Sequence, residues 1–250
     1  MVEIIDSHTH VDNYEAFGWV DPPEKIIGLM DEANIKKAVI MTYCDAPVLK
    51  EDAIEYIAES VKKFPDRLIA YARIHPQAKG KAMKILEEAV LDLNFKGLKF
   101  HPESISTHPY HEASIALIKK AGELNIPTLF HCGDESLSLP LQIAEAAEKC
   151  PESKIILGHM GGYFHVQDAL KVAEKYENIY LETSAMPYPD IIKEAVRRIG
   201  AERVLYASDG PGCNPDLEVK KIAFAELSQK EYNLVMGDNF AQILEQVKTR

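Results

Sequence analysis

The stretch VEIIDSHTHVD at the start of the chain places His8 and His10 one residue apart, at the end of an apolar run. The run is rich in β-branched residues, which is typical of a strand. Side chains alternate faces along a strand, so Asp6, His8 and His10 are expected to share one face. Two neutral imidazoles a few ångströms apart can chelate a metal ion, and imidazole suits zinc, iron, nickel and copper. A polar strand end bonded to water or backbone explains a lone His-x-His equally well, so the rest of the chain must decide.

The other candidate residues share one feature, since each stands near the end of a later apolar run. In chain order they are Arg73, Lys99, His101, His131, His159 and Asp209. If these runs are parallel strands of a barrel, their C-terminal ends converge on one face, where the active sites of barrels are built. Glu182 and Thr183 end a further run, and alternation turns one of them inward without indicating which.

The elements that must position these residues alternate regularly along the chain. Eight runs are predicted to be strands: VEIIDSH, KKAVIMTY, DRLIAYARI, NFKGLKF, IPTLFH, SKIILGH, ENIYLETS and ERVLYASD. Segments of helical periodicity lie between them. Strands that alternate with helices indicate a parallel sheet, and eight such units in 250 residues match an α/β fold, the closed (β/α)₈ TIM barrel. An open doubly wound sheet is the alternative, but it would usually carry a glycine-rich turn where this chain has His-x-His.

No linker or low-complexity segment divides the sequence, so residues 1–250 are predicted to form a single domain. The formal net charge of −11 argues against nucleic acid and anionic membranes as partners, since both need a basic footprint. A local pocket can still bind an anionic small-molecule substrate. Barrels often pair, so a homodimer is left open.

Cysteine usage and the N-terminus favour a cytoplasmic protein. The four cysteines, Cys44, Cys132, Cys150 and Cys213, form no Cys-x-x-Cys pair and are typical of free thiols. No apolar run approaches the ~20 residues of a membrane span. The N-terminus also lacks the basic and then apolar layout of a secretory signal.

The candidate residues fit the needs of a catalytic zinc site, which has three or four protein ligands and an open position for water. His8, His10, His131 and Asp209 could form this shell, and the bound water would lose a proton near neutral pH. Asp209 could accept that proton, and His159 could orient the water or polarise a substrate carbonyl. Taken singly, His131 is better explained as a core histidine and Asp209 as a turn residue. Considered together, the two residues make a stronger case for a metal site.

The ordered segments IDSHTH, GLKFHP, IPTLFHCG, LGHMGG, YLETSA and LYASDGP resemble the amidohydrolase superfamily. Within it, the chain is similar to the amidohydrolase-related branch that includes aminocarboxymuconate-semialdehyde decarboxylase and similar metal-dependent hydrolases. The resemblance spans nearly the whole chain. It implies that the His-x-His ligands are His8 and His10, that the fifth-strand and sixth-strand histidines are His131 and His159, and that the eighth-strand aspartate is Asp209.

Lys99 leaves the number of metal ions open. Many members of the superfamily carry a carboxylated lysine near this point, which bridges two metals. In the amidohydrolase-related branch a single metal is more frequent, so we favour one Zn²⁺ per chain, with His159 outside its ligand shell or only loosely in it. Mn²⁺ and Fe²⁺ tolerate the same ligand set. Without a carboxyl group, Lys99 would instead hold an anionic group of the substrate.

Three basic residues, Arg73, Lys99 and His101, are predicted to contact the substrate. Arg73 offers a planar two-toothed donor to a carboxylate, although it could equally pair with an acidic residue of the barrel wall. Because His101 stands two residues after Lys99, it is expected to share the same face of the strand and could line the pocket. Alternatively, it is a partner of the loop that follows it. Phe17 and Trp19 could form a lid or an apolar pocket wall, cap the barrel, or meet another subunit.

These residues predict a metal-dependent hydrolase of the amidohydrolase type. It would cleave a C–N or C–O bond of a small cyclic amide, lactone or ester through zinc-activated water, with Asp209 shuttling the proton. Two alternatives remain: a metal-dependent decarboxylase on the same scaffold, and a non-catalytic metal-binding barrel.

Overall fold

The computed structural model describes residues 2–78 and 80–248. The strands in chain order are β1 (Ile5–His10), β2 (Asp12–Tyr14), β3 (Trp19–Asp21), β4 (Lys37–Met41), β5 (Leu68–Arg73), β6 (Gly97–Phe100), β7 (Thr128–Phe130), β8 (Ile155–Leu157), β9 (Ile179–Glu182) and β10 (Val204–Leu205). The α-helices are α1 (Pro23–Glu32), α2 (Ala53–Lys63), α3 (Ala82–Leu91), α4 (Glu112–Glu123), α5 (Pro140–Lys149), α6 (Gly162–Lys175), α7 (Pro189–Ile199), α8 (Pro215–Ala223), α9 (Gln229–Asn233) and α10 (Asn239–Glu245).

Eight of these strands form one parallel sheet in the order β1-β4-β5-β6-β7-β8-β9-β10. The sheet curves into a nearly closed barrel, because the segment after β10 bonds back to β1. Asp209 N–H donates to the His8 carbonyl at 2.8 Å, and His10 N–H donates to the Gly210 carbonyl at 2.7 Å. Helices occupy the connections between the strands. The predicted (β/α)₈ barrel and its eight strands are therefore confirmed.

Two apolar layers hold the barrel together. Its interior is filled by side chains of alternate strand positions, among them Val39, Met41, Tyr71 and Leu129. Phe240 of α10 packs against this cluster and closes the end of the barrel opposite the strand C-termini. A larger layer lies between the strands and the surrounding helices. Because Phe240 fills that end of the barrel with apolar atoms, the polar end of the barrel is the one where the strands have their C-termini.

A bulge in β1 corrects one detail of the predicted strand. Asp6 pairs in register with Ala38, which packs in the outer layer, whereas His10 pairs with Met41, which packs inside the barrel. The register shifts between Asp6 and Thr9, so β1 carries one extra residue there. Asp6 therefore does not share the inward face of the histidines, and its carboxylate accepts the Ser208 N–H at 2.9 Å instead.

The segment after β1 is an antiparallel hairpin of β2 and β3, which the sequence pattern does not reveal. A buried ion pair anchors its base, with Lys50 Nζ 2.7 Å from Asp12 Oδ1. The other oxygen of Asp12 accepts the Tyr43 N–H at 2.9 Å. The hairpin is thereby fixed to the loop after β4, beside the mouth of the barrel.

Ordinary local signals start and end the helices. Proline occupies the first turn of α1, α5, α7 and α8, where its missing N–H costs nothing. Asn34, Asn94 and Asn125 adopt positive φ just after α1, α3 and α4, as is common beyond helix C-termini. No helix of the described ranges is long and apolar enough to cross a bilayer.

Gly97 and Gly28 test how tightly the barrel interior is packed. A Cβ on Gly97 would lie 2.2 Å from the Tyr71 Cζ, whereas nothing lies within 4 Å of a Cβ on Gly28 in α1. Gly97→Ala should lower the free energy of unfolding by roughly 1–3 kcal/mol through overpacking. Gly28→Ala should raise it by about 0.5–1 kcal/mol, because alanine is the better helix former. Urea titrations of both variants check this, and an unchanged midpoint for Gly97→Ala would contradict the packing of Tyr71.

Candidate metal centre and active site

A cavity of about 510 Å³ opens at the C-terminal ends of the strands. That volume suits a small-molecule site. Its wall includes most of the predicted site residues, namely His8, His10, Arg73, Lys99, His101, His131 and Asp209. His159 is buried just behind this wall. The fold thus gathers residues from β1, β5, β6, β7 and the end of β10 around one space.

Three of these residues form a compact donor set, here called the metal triad: His8, His10 and Asp209. The His8 Nε2 and His10 Nε2 atoms are 3.1 Å apart. Asp209 Oδ1 lies 3.5 Å from the first and 3.3 Å from the second. Ligands at zinc-type bond lengths in a tetrahedron stand about 3.4 Å apart, so the triad fits a divalent ion as it stands.

The electrostatics of the metal triad also suit a cation. Burial lowers the pKa of His8 and of His10, so both imidazoles are neutral and keep a lone pair for a ligand. Burial opposes ionisation of Asp209, but the adjacent His8 and His10 outweigh it and hold the pKa of that carboxyl below its usual range. Two neutral imidazoles and one carboxylate result, which is a common set for zinc, manganese or iron.

Lys99 lies next to the metal triad. Its ammonium nitrogen is 2.9 Å from His8 Nε2, and its side chain is only 1% exposed. Burial lowers the pKa of Lys99 to about 7, so a large share of the amine is uncharged at neutral pH. The lysine can therefore sit beside a cation site with less repulsion than an ordinary lysine would cause.

The structure places His131 beside His159 and not within the compact donor set of the other three predicted ligands. His131 Nδ1 lies 3.1 Å from His159 Nε2, and the His131 ring stacks on His101 with 4.0 Å between centroids. His159 in turn stands between His131 and His8, with its ring centroid 5.3 Å from that of His8. His101 lines the cavity, and its Nδ1 also accepts the Ser104 N–H of the following loop at 3.4 Å.

Two of the predicted residues sit on unusual backbone. His159 and Asp209 have φ of 55° and 59°, in the left-handed region that costs energy for residues with a Cβ. Gly158 makes the first of these turns feasible, since a Cβ there would lie 2.6 Å from the Phe130 carbonyl oxygen. The sharp turn after β8 therefore depends on the LGH sequence at its end.

Arg73 pairs with an acidic residue of the barrel wall, which was one of its two predicted alternatives, and it also lines the cavity. Its Nε donates to Asp45 Oδ1 at 3.0 Å, so it pairs with a buried acidic residue of the wall. Its Nη2 donates to Ser104 Oγ at 2.8 Å, and the guanidinium still lines the cavity. The bonds to Asp45 and Ser104 fix the orientation of the guanidinium at the cavity.

Three aromatic side chains also line the cavity and are here called the aromatic wall: Phe17, Trp19 and Tyr43. Tyr43 stacks on His10 with 4.6 Å between ring centroids and 12° between planes. Trp19 lies 5.3 Å from Tyr43, and Phe17 lies 5.1 Å from Trp19. Phe17 is 56% and Trp19 41% exposed, so both have open apolar surface at the mouth.

The sequence left the inward residue at the end of β9 undecided between Glu182 and Thr183. Glu182, and not Thr183, faces the site, and its Oε1 lies 3.0 Å from His8 Nδ1. Alternation along the strand leaves this choice open, because both residues are fully buried.

A parallel (β/α)₈ barrel with imidazole and carboxylate donors at its C-terminal mouth defines the class of metal-dependent barrel enzymes. The chain belongs to the amidohydrolase family, whose model matches residues 5–245. The resemblance drawn from its motifs is thereby confirmed, and the protein is an enzyme of the amidohydrolase superfamily.

Known relatives share most of the chain. The γ-resorcylate decarboxylase of Polaromonas sp. is 25% identical in an alignment that covers 79% of this chain and 79% of that protein. A dihydroxybenzoic acid decarboxylase from Polaromonas sp., solved with manganese and the inhibitor 2-nitroresorcinol, is 19% identical. The superposition covers 98% of this chain and 97% of the Polaromonas chain, with a TM-score of 0.78. The 5-carboxyvanillate decarboxylase from Sphingomonas paucimobilis is 14% identical over 99% of this chain and 100% of its own, also with a TM-score of 0.78.

These relatives overturn one expectation from the sequence. Zinc-activated hydrolysis of a C–N or C–O bond is wrong as the main hypothesis, because the similar proteins are decarboxylases. The physical reason is that one ligand set serves both reactions. Ligands that activate water can also hold a substrate oxygen while a C–C bond breaks, so ligand spacing alone does not separate them.

Elemental analysis tests the metal triad. Purified protein is expected to carry about one divalent ion per chain, and the His8→Ala/His10→Ala double variant should lose it, since only one triad ligand remains. His165→Ala is the matched control, because His165 pairs with Asp168 in α6 away from the cavity. Equal metal content in the double variant and the control would contradict the assignment.

Proposed function

We propose that this protein is a divalent-metal-dependent decarboxylase of a small hydroxylated aromatic carboxylic acid. One observation carries the proposal: a single cavity is lined by the aromatic wall, by the basic residues Arg73 and Lys99, and by the metal triad. A flat apolar ring with an acidic substituent matches this arrangement. The decarboxylases among the relatives support the reaction type, and their aromatic acids support the substrate class.

His8, His10 and Asp209 would hold the metal ion, with manganese and zinc as the candidates. The manganese of the related Polaromonas structure supports the first, and the donor set accommodates both. When bound, such an ion supplies Lewis-acid polarisation of a substrate oxygen. His131, which was predicted as a fourth ligand, lies beside His159 in this structure, and we assign His131 to the cavity wall and His159 to the layer behind it.

The aromatic wall and the basic residues of the cavity would orient the substrate. The ring stacks along Tyr43 and Trp19, since offset and tilted aromatic contacts are favourable. The carboxylate meets the guanidinium of Arg73, which is already aimed by its bonds to Asp45 and Ser104. Lys99 and His101 also line the cavity and would complete the predicted substrate contacts.

Proton transfer then falls to Asp209. Decarboxylation needs a proton at the ring carbon that loses its carboxylate, and the electron pair of the broken C–C bond stays on that carbon. Because Asp209 is ionised at neutral pH, it must first accept a proton. A hydroxyl beside the carboxylate, facing the metal triad, supplies it. Asp209 passes this proton to the ring carbon, the C–C bond breaks and leaves its electron pair to the ring, and CO₂ departs. The oxygen that gave up its proton then takes one from water. His159 contacts no cavity space and is assigned a positioning role behind His131.

A substrate panel tests this function. Metal-loaded protein should release CO₂ from 2,6-dihydroxybenzoate or a related ortho-hydroxy acid, and much less from benzoate, which has no hydroxyl to donate a proton or electrons. Asp209→Asn should abolish turnover. Arg73→Lys should lower kcat/KM roughly tenfold, about 1.4 kcal/mol, because the two-toothed contact is lost.

Arg67→Lys is the matched control, since Arg67 pairs with Asp31 on the surface. No CO₂ from any hydroxylated acid, or full turnover by Asp209→Asn, would refute the proposal.

A further inference from the structure

A fully buried carboxylate behind the cavity makes an unusually complete set of polar contacts. Glu182, at the end of β9, is 0% exposed. Its Oε1 lies 3.0 Å from His8 Nδ1 and accepts the His159 N–H at 2.8 Å. The Ser184 hydroxyl donates to the same oxygen at 3.0 Å, and the Ser184 N–H donates to Oε2 at 2.7 Å.

These contacts decide where His8 carries its proton. A neutral imidazole has one N–H and one lone pair, and a carboxylate oxygen attracts the N–H. Nδ1 therefore bears the hydrogen and Nε2 bears the lone pair. The contact from Lys99 agrees, because its amine can donate to Nε2 at 2.9 Å. The lone pair of His8 thus points toward His10 and Asp209, where a metal would bind.

We infer that Glu182 is a positioning residue that holds His8 in the Nδ1–H tautomer and so presents its Nε2 to a metal ion. The inference rests on the metal triad of the proposed function and is independent of which reaction follows. Carboxylates that accept the second N–H of a metal-binding histidine both orient the ring and raise its basicity.

The geometry favours this role over direct ligation. His8, His159 and Glu182 have donor atoms close enough to share an ion. Both oxygens of Glu182 are, however, already engaged by hydrogen-bond donors, and the residue does not reach the cavity. The oxygen that orients His8 also accepts the N–H of His159, whose backbone is left-handed. One carboxylate therefore ties the metal triad to the turn after β8.

Metal affinity without substrate tests the inference. Glu182→Gln removes the charge and should weaken Mn²⁺ and Zn²⁺ binding about 10- to 100-fold in competition with a chelator. The absorption spectrum of the Co²⁺-loaded protein should change as well, because the ligand field of His8 is altered. Glu218→Gln is the matched control, since Glu218 is a largely buried glutamate that pairs with Lys221 in α8. Affinities within twofold of wild type and an unchanged cobalt spectrum would overturn the inference.

A measurement on the wild-type protein keeps the test independent of whether the variant folds. With ¹⁵N-labelled histidine, the His8 signals, assigned from their loss in His8→Gln, should show Nδ1 protonated and Nε2 unprotonated in the metal-free protein. Protonation on Nε2, or a wild type that binds no metal, would overturn the inference. Absence of CO₂ release with these results intact would refute only the proposed reaction.

Discussion

The backbone hydrogen bond that Asp209 N–H donates to the His8 carbonyl, 2.8 Å long, closes the barrel and assembles its site. It joins the segment that follows the last strand, β10, to the first strand, β1. The left-handed φ of 59° at Asp209 then turns the carboxylate toward His10. Without this closure the metal triad would not exist, because its members lie at opposite ends of the sequence. At the opposite end of the barrel, the apolar Phe240 of α10 packs against the interior side chains and stabilises the closed barrel.

Burial sets the charges around this junction. It lowers the pKa values of His8, His10 and Lys99, so a group of potentially cationic side chains carries little positive charge. Asp209 nevertheless stays anionic, and Glu182 gathers hydrogen bonds behind the histidines. These charges favour the binding of a cation at the metal triad. Arg73, neutralised in part by Asp45, keeps a fixed donor surface at the cavity.

Periodicity and the strand-end rule were enough to predict the barrel, its eight strands and the residues at its mouth. They could not locate the bulge in β1, because an inserted residue leaves no mark on the hydrophobic pattern. They also left Glu182 and Thr183 undecided, since both are fully buried. The side-chain direction of His131 depends on neighbours brought close only by the fold. Hydrolysis was the wrong prediction because substrate chemistry depends on the shape of the cavity, to which Trp19 of an unforeseen hairpin contributes.

Turnover in D₂O tests the central claim most directly. Asp209 delivers the proton that replaces the carboxylate on the ring, and this proton comes from a substrate hydroxyl. Because hydroxyl protons exchange with solvent before the substrate binds, the delivered atom is deuterium in D₂O. Mass and NMR spectra of the product should therefore show one deuterium on the carbon that carried the carboxylate, in step with CO₂ release. A product without deuterium at that carbon, or one that retains the carboxyl group, would contradict the account.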